Sequence, residues 1–131
     1  AGELKGVLAA VCAYVFVIYV FIFRQGTGKN ILNPTLVASD DPVCVAHFRN
    51  LNRTVENALE QAPLFLVALL PYAGLVNPGL AGKLAFAYVA FLVPYPALFH
   101  PPKPTFVIST VPRYLIVEYM VASIAITVLR S

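Results

Sequence analysis

The residues best suited to chemistry lie in one polar segment of an otherwise apolar sequence. Arg53, Asn57 and Glu60 belong to the segment RTVENALEQAP, and a long apolar run follows it directly. At about 100° per residue these side chains, with Arg49 and Glu56, fall within roughly 100° of one helix face. Charged groups inside an apolar segment are candidates for a functional site, because hydrocarbon does not tolerate them without partners.

The composition is that of a membrane protein. Of the 131 residues, 60% are hydrophobic and 11% are charged, and the mean hydropathy is +0.79, outside the range of ordinary soluble domains. A soluble helical bundle is the alternative, but it would need more surface charge than nine basic and six acidic residues supply.

The apolar pattern predicts an all-α, four-helix transmembrane bundle in a single domain of residues 1–131. The predicted spans cover about 4–24, 44–72, 80–96 and 105–130, and a span needs about 20 apolar residues. The breaks between them, GTGKNILNP, NPG and HPPKP, are rich in turn-forming residues. We therefore expect an integral, multi-pass membrane protein, whose orientation the distribution of Lys and Arg does not decide.

Two classes of function have no support. The basic residues form no run or patch, so nucleic-acid binding is not indicated. Cys12 and Cys44 form no CxxC pair, and neither a disulfide nor a metal site is predicted. His47 and His100 are isolated in the sequence, and we interpret them as residues of the membrane interface.

The polar stripe must face other helices, a partner subunit or a wet cavity, since each charge at the centre of a span costs about 2.5–3.5 kcal/mol. We expect it to be buried. Pro63 removes one helix hydrogen bond and predicts a kink beside the stripe, which favours a pocket. In a purely structural interpretation, Arg53 bridges Glu56 and Asn57 on its own helix.

The pattern R-x-x-x-N-x-x-E-x-x-P, formed by Arg53, Asn57, Glu60 and Pro63 before Leu-Phe-Leu, resembles the MAPEG family. These are the membrane-associated proteins of eicosanoid and glutathione metabolism, which include the microsomal glutathione transferases. The motif falls on the second predicted helix, as in that family. The resemblance implies a homotrimer in an endoplasmic-reticulum-type membrane, with an organellar membrane as the alternative, and glutathione held between neighbouring subunits.

The resemblance also implies roles for single residues. Arg53 would pair with a glutathione carboxylate, as suits a planar cation, while Asn57 and Glu60 would bind the polar backbone and the amino end. Tyr95 matches the first member of a family tyrosine pair. The second position is Phe99, which has no hydroxyl.

The fourth helix departs from the family pattern. Catalytic members carry an arginine near its start that stabilises the glutathione thiolate, and a nearby cation does lower a thiol pKa. Phe106 occupies the matching position, so either Lys103 or Arg113 takes that role, and we select Arg113 as the catalytic candidate. Alternatively, Arg113 pairs with Glu118 of a neighbouring subunit and has a structural role.

Two functions follow from the resemblance. The first is a glutathione transferase or peroxidase that uses glutathione as co-substrate and acts on a lipophilic electrophile from the bilayer. The second is a non-catalytic membrane subunit, either a lipid-binding accessory protein or a component of a larger membrane complex. The sequence identifies neither the substrate nor the membrane.

Overall fold

The structure is a computed structural model that describes residues 2–30 and 40–131, and these residues are almost entirely helical. Within them, a single antiparallel bridge pairs His100 with Lys103. The helices are α1 (Gly2–Asn30), α2 (Pro42–Leu75), α3 (Pro78–Leu92), α4 (Tyr95–Leu98) and α5 (Val107–Arg130), the last preceded by a 3₁₀ turn, Pro104–Phe106.

Three of these segments are long and apolar enough to cross a membrane: Gly2–Gly28, Pro42–Leu75 and Pro104–Arg130. The third predicted span, 80–96, is divided, since α3 ends at Leu92 after 15 residues and Tyr95 begins α4. Pro94 and Pro96 lack the N–H groups that would continue the helix. The architecture is thus an all-α membrane fold with three span-length helices and one shorter apolar helix.

The first helix is longer than predicted. The break expected after Arg24 does not occur there, because α1 continues to Asn30; the rest of that break, 31–34, lies outside the described residues. Gly28 allows the extension to pack closely on α2, since a Cβ at this position would lie 2.8 Å from Leu51 Cδ1. Gln25 Nε2 also donates to Asn52 Oδ1 at 2.9 Å.

Capping residues set the starts of α2 and α3. The Asp41 carboxylate accepts a hydrogen bond from the Val43 backbone N–H at 2.8 Å, and Asn77 Oδ1 accepts from Leu80 N–H at 3.0 Å. A proline follows each cap, where its fixed φ and missing N–H suit the first helical position. The Asn77 cap makes the connection between α2 and α3 very short.

The helices α2 and α3 are central, and each packs against both α1 and α5. Small residues allow close approach where they meet, as is common for helices packed in membranes; the fully buried alanines are Ala10, Ala58, Ala81 and Ala85. Large apolar side chains point outward instead, including Phe16, Phe23, Val67 and Leu115. An apolar exterior fits a bilayer environment.

We predict that Gly82→Ala destabilises the contact between α1 and α3. A Cβ on Gly82 would lie 3.2 Å from the Gly6 carbonyl carbon and 3.3 Å from the Val7 nitrogen, and backbone cannot move aside as a side chain can. Overpacking costs about 1–3 kcal/mol, of which alanine's better helix propensity recovers about 1 kcal/mol.

The measurement is the thermal unfolding midpoint (Tm) in detergent, with Gly74→Ala as the control. Gly74 is also helical, and its Cβ would meet no atom within 4 Å among the described residues. Equal midpoints for the two variants would contradict the close approach of α1 and α3.

Candidate functional site

The polar stripe on α2 is divided between the interior and the surface of the subunit. Asn57 is buried, with 2% of its surface exposed. The side chains of Arg53, Glu56 and Glu60 are 38%, 58% and 54% exposed. The expectation that the whole stripe is buried therefore does not hold within one subunit. The polar face of α2 is wider than the area that the other helices cover, so part of it stays exposed.

The surface part of the stripe is an ion-pair cluster. Arg53 Nη1 lies 3.0 Å from Glu60 Oε1 and 3.6 Å from Glu56 Oε2. Bridging of Arg53 to Glu56 matches the structural interpretation, but the proposed contact of Arg53 with Asn57 is replaced by the ion pair with Glu60. These contacts use Nη1 of Arg53, and a guanidinium has donors on all three nitrogens.

The buried part of the stripe, Asn57, binds α5. Arg113 of α5 is fully buried, and its Nη2 donates to Asn57 Oδ1 at 2.7 Å. Its Nε donates to the Ser109 carbonyl at 3.0 Å, one turn earlier. Two residues 56 positions apart in the sequence thus form one interior contact.

Two tyrosine rings flank the Arg113 guanidinium. Its central carbon lies 5.6 Å from the centroid of the Tyr88 ring and 5.7 Å from that of Tyr95, within the range of cation–π attraction. Tyr95 also interacts electrostatically with Arg53. Tyr95 therefore lies between the buried arginine and the surface arginine.

An aromatic cluster supports Tyr88 from behind. The Tyr88 and Phe65 rings are stacked, with centroids 4.0 Å apart. Tyr14 of α1 approaches both edge-on, at 4.9 Å from Phe65 and 5.9 Å from Tyr88. This packing connects α1, α2 and α3 directly beneath the Arg113 site.

Arg113 has unused donor capacity. Its Nη1 is buried and has no hydrogen-bond partner within the part of the chain that the structure describes. The salt bridges formed by those residues all involve Arg53 rather than Arg113. A buried cation without an anion is costly, and an unsatisfied buried donor calls for an explanation.

The structure distinguishes Lys103 from Arg113, the two candidates for the catalytic cation. Lys103 is exposed in the turn before α5, whereas Arg113 is buried beside Asn57. Phe106 packs against Phe99, with ring centroids 5.8 Å apart, and Phe99 stacks on Tyr95 at 5.6 Å. Arg113 has no exposed surface, and the hydrogen bonds that the structure describes for it are with Asn57 and the Ser109 carbonyl.

An apolar groove runs between α2 and α5 beyond the ion-pair cluster. It has a volume of about 360 Å³ and adjoins a second hollow of about 270 Å³, with Leu64, Val117 and Glu118 common to both. Gln61 and Tyr114, which line the second hollow, directly follow Glu60 and Arg113 in the sequence. The groove therefore begins beside the polar site, on the C-terminal side of Pro63.

Comparison with known proteins identifies the family. The model of the MAPEG family matches residues 4–110. The chain belongs to the MAPEG family. Together with the three span-length apolar helices, this membership makes it an integral membrane protein. Comparisons with curated proteins and with solved structures give no match.

The MAPEG match covers Arg53, Asn57, Glu60 and Tyr95 and ends three residues before Arg113. The structure places Arg113 against Asn57 and close to Tyr95, and Tyr95 interacts with Arg53, which pairs with Glu60. The five predicted site residues therefore form one connected group. The ligands assigned to them by resemblance remain predictions.

Sequence reasoning missed Tyr88 and Ser109. Tyr88 lies within a strongly apolar helix, where a tyrosine needs a polar partner for its hydroxyl. Ser109 precedes Arg113 by four residues, and both residues are fully buried. Arg113 binds the backbone carbonyl of Ser109, whose hydroxyl donates to the Phe91 carbonyl instead, so the residue type at position 109 gave no signal for this contact.

We predict that Asn57→Ala strongly destabilises the fold, whereas Asn57→Asp preserves it. Alanine leaves Arg113 Nη2 without its acceptor in the interior, at a cost of about 2–3 kcal/mol. Aspartate supplies a charged acceptor for the same nitrogen. Lys83→Gln, at an exposed position of α3 outside the site, is the control and should change stability by less than about 0.5 kcal/mol.

Thermal unfolding of the four proteins in one detergent measures these differences. If Asn57→Ala matched the wild type, the bond between Arg113 and Asn57 would not hold α2 and α5 together.

Proposed function

We propose that this MAPEG protein is a membrane-bound glutathione transferase or peroxidase that acts on a lipophilic electrophile. The observation that carries the proposal is the buried Arg113, which has a donor nitrogen without a partner and no counter-ion among the described residues. A thiolate is an anion of the type that such a site favours.

In this proposal, Arg53 and its neighbours hold the tripeptide. Arg53 is half-exposed and retains donors beyond Nη1, so its fork can bind a glutathione carboxylate. A hollow of about 310 Å³ lies beside it on α2, between Phe48 and Glu56. Glu60 would accept hydrogen bonds from the ammonium end, and Asn57 and Tyr95 would contact the peptide while remaining close to Arg113.

In the proposed transferase reaction the glutathione thiolate attacks an electrophilic carbon, so that a carbon–sulfur bond forms while the bond from that carbon to its leaving group breaks. In the peroxidase reaction the thiolate attacks a peroxide oxygen, the O–O bond breaks to release an alcohol, and a second glutathione completes the disulfide. Arg113 would favour the thiolate over the thiol by electrostatic stabilisation in an interior of low dielectric constant, with the thiol proton passing to solvent. Arg113 has no exposed surface, so direct contact with sulfur requires the side chains around it to rearrange. The apolar groove between α2 and α5 offers a route from the bilayer for the second substrate.

A non-catalytic role is the second candidate, and a specific observation favours it. Arg113 is tied to Asn57 and Ser109 and enclosed by two tyrosines, as expected of a residue that holds helices together. In that case the protein is a lipid-binding accessory protein or a subunit of a larger membrane complex. We propose an endoplasmic-reticulum-type membrane for either function, by family resemblance.

Variants of the two arginines separate these functions. We expect Arg53→Ala to weaken glutathione binding by about 30- to 1,000-fold, which corresponds to about 2–4 kcal/mol for the lost charge-assisted pair. Arg113→Ala also removes the bond to Asn57 and should lower Tm. Its folded form should bind glutathione nearly as well as the wild type but conjugate it more slowly, because thiolate stabilisation belongs to the chemical step. Lys83→Ala, on the exposed surface of α3, is the control.

The measurements are glutathione affinity by calorimetry and conjugation to a generic electrophile over a range of pH. In Arg113→Ala the rate profile should shift toward the pKa of free glutathione. Wild-type protein that binds glutathione without turnover would support the accessory role. Wild-type protein that does not bind it would refute the proposal.

We further propose that the protein is a trimer in which neighbouring subunits cover the ion-pair cluster. Arg53, Glu56 and Glu60 lie 11 to 18 residues into a 34-residue helix, so lipid contact would place three charges deep in the bilayer at about 2.5–3.5 kcal/mol each. A neighbour of the same chain is the simplest cover.

Native mass spectrometry in detergent tests the trimer. The expected mass is three chains for the wild type, with a shift toward monomer when Glu56 and Glu60 are both replaced by Lys. The paired replacement of Lys5 and Lys83 by Glu is the control. A wild type found only as a monomer would contradict the trimer, although glutathione binding to a single subunit would remain measurable.

A further inference from the structure

A second polar pocket lies near the end of α1 and the start of α2, and its lining includes none of the ion-pair residues Arg53, Glu56 and Glu60. Its lining residues come from α1, α2, α4 and the turn after α4, and its volume is about 240 Å³. Arg24, His47 and His100 line it together with Ala46, Asn50 and Pro96. The two histidines, isolated in the sequence, thus meet an arginine in one place.

Asn50 holds this pocket together. Its Nδ2 donates to the carbonyls of Pro96 and Phe99, at 2.8 Å and 2.9 Å. Its Oδ1 accepts from Arg24 Nη2 at 2.6 Å. The amide, itself buried, therefore fixes the α4 segment and the arginine head relative to each other, and the remaining Arg24 donors stay available for a ligand.

The charge of the pocket is positive. Its lining contains one arginine and two histidines, and none of the described lining residues is acidic. Arg24 is half-buried, so its charge is screened less than that of an exposed residue. A guanidinium flanked by imidazole N–H groups suits a phosphate, which offers several acceptor oxygens.

The position of the pocket is that of a membrane boundary. Arg24 lies near the end of the span-length segment Gly2–Gly28, and His47 lies near the start of Pro42–Leu75. Lipid headgroups occupy this depth, where basic side chains bind them.

A second hollow of about 380 Å³ shares His100 with the pocket. Apolar groups form most of its wall, and Lys103 adds a further cation; its other lining residues are Ala97, Leu98, Pro101, Pro102 and Thr105. A cationic pocket beside a largely apolar hollow matches an amphiphile with an anionic head better than a free anion.

We infer that the pocket lined by Arg24, His47 and His100 binds the phosphate of an anionic lipid headgroup. None of the proposed glutathione ligands on α2 lines it. The lipid site is therefore independent of the proposed enzymatic activity and would persist if the protein were not catalytic.

The test is stabilisation of the purified protein, in an uncharged detergent, by added dioleoyl phosphatidylglycerol or dioleoyl phosphatidylcholine. Phosphatidylglycerol should raise Tm more than phosphatidylcholine for the wild type. The effective affinity should fall by about fivefold when the Arg24 charge is removed, because one basic residue near the surface contributes about 1 kcal/mol, and it should also fall when the two imidazole donors are removed. The variants are Arg24→Gln and the double variant His47→Gln with His100→Gln.

The control is Lys83→Gln, which removes an exposed charge from α3 outside the pocket and should leave the lipid effect unchanged. Arg24→Gln also loses the bond to Asn50; should it fail to fold, the double histidine variant decides, because its side chains are exposed. Equal stabilisation by the two lipids, or an unchanged lipid effect in the double variant, would overturn the inference.

Two further additions identify the ligand. Inorganic phosphate should not reproduce the lipid effect, and a variant-dependent stabilisation by phosphate alone would assign the pocket to a free anion instead. Glutathione should stabilise the wild type and the double histidine variant equally if it binds at all. A glutathione effect lost only in the double variant would place glutathione here and overturn the lipid assignment.

Discussion

The hydrogen bond from Arg113 to Asn57 is the interaction on which the interior of this protein depends. It joins α2, which carries the family motif, to α5, the C-terminal span. In this region water does not replace a lost partner. A buried guanidinium must be surrounded by acceptors and polarisable groups. Asn57, the Ser109 carbonyl and the rings of Tyr88 and Tyr95 meet that need.

The aromatic cluster follows from the same constraint. Tyr88 faces Arg113 on one side, and Phe65 and Tyr14 pack behind it, so that three helices converge on one cation. Small residues elsewhere in the core let the helices approach closely enough for these rings to touch. Among the described residues, Arg113 Nη1 has no hydrogen-bond partner, and this is why the site is of chemical interest and not only of structural interest.

Two clusters of polar groups lie at the surface of the described part of the subunit. Arg53, Glu56 and Glu60 neutralise one another along α2, near the middle of the span. Arg24, His47 and His100 gather near the end of α1 and the start of α2 instead, where headgroups and water are near. The two groups differ in depth and in charge balance, so they suit different ligands: a polar molecule with charges of both signs, and an anionic headgroup.

The sequence by itself determined the membrane class, the family and the α2 stripe, because these depend on composition and on spacing within one helix. The approximate helix positions followed for the same reason. The end of α1 did not, since contacts of Gly28 and Gln25 with α2 stabilise an extension that local turn propensity disfavours.

Only the tertiary structure decided which polar residues meet. Helical periodicity placed Asn57 with Arg53 on one face, but it could not show that Asn57 is buried against Arg113 while Arg53 is at the surface. That division depends on where α5 packs across α2. The meeting of His47 and His100 at Arg24 also required the chain to return through α4, which Asn50 holds in place. Contacts between residues about 50 positions apart depend on how helices pack, and periodicity within a single helix carries no information about that packing.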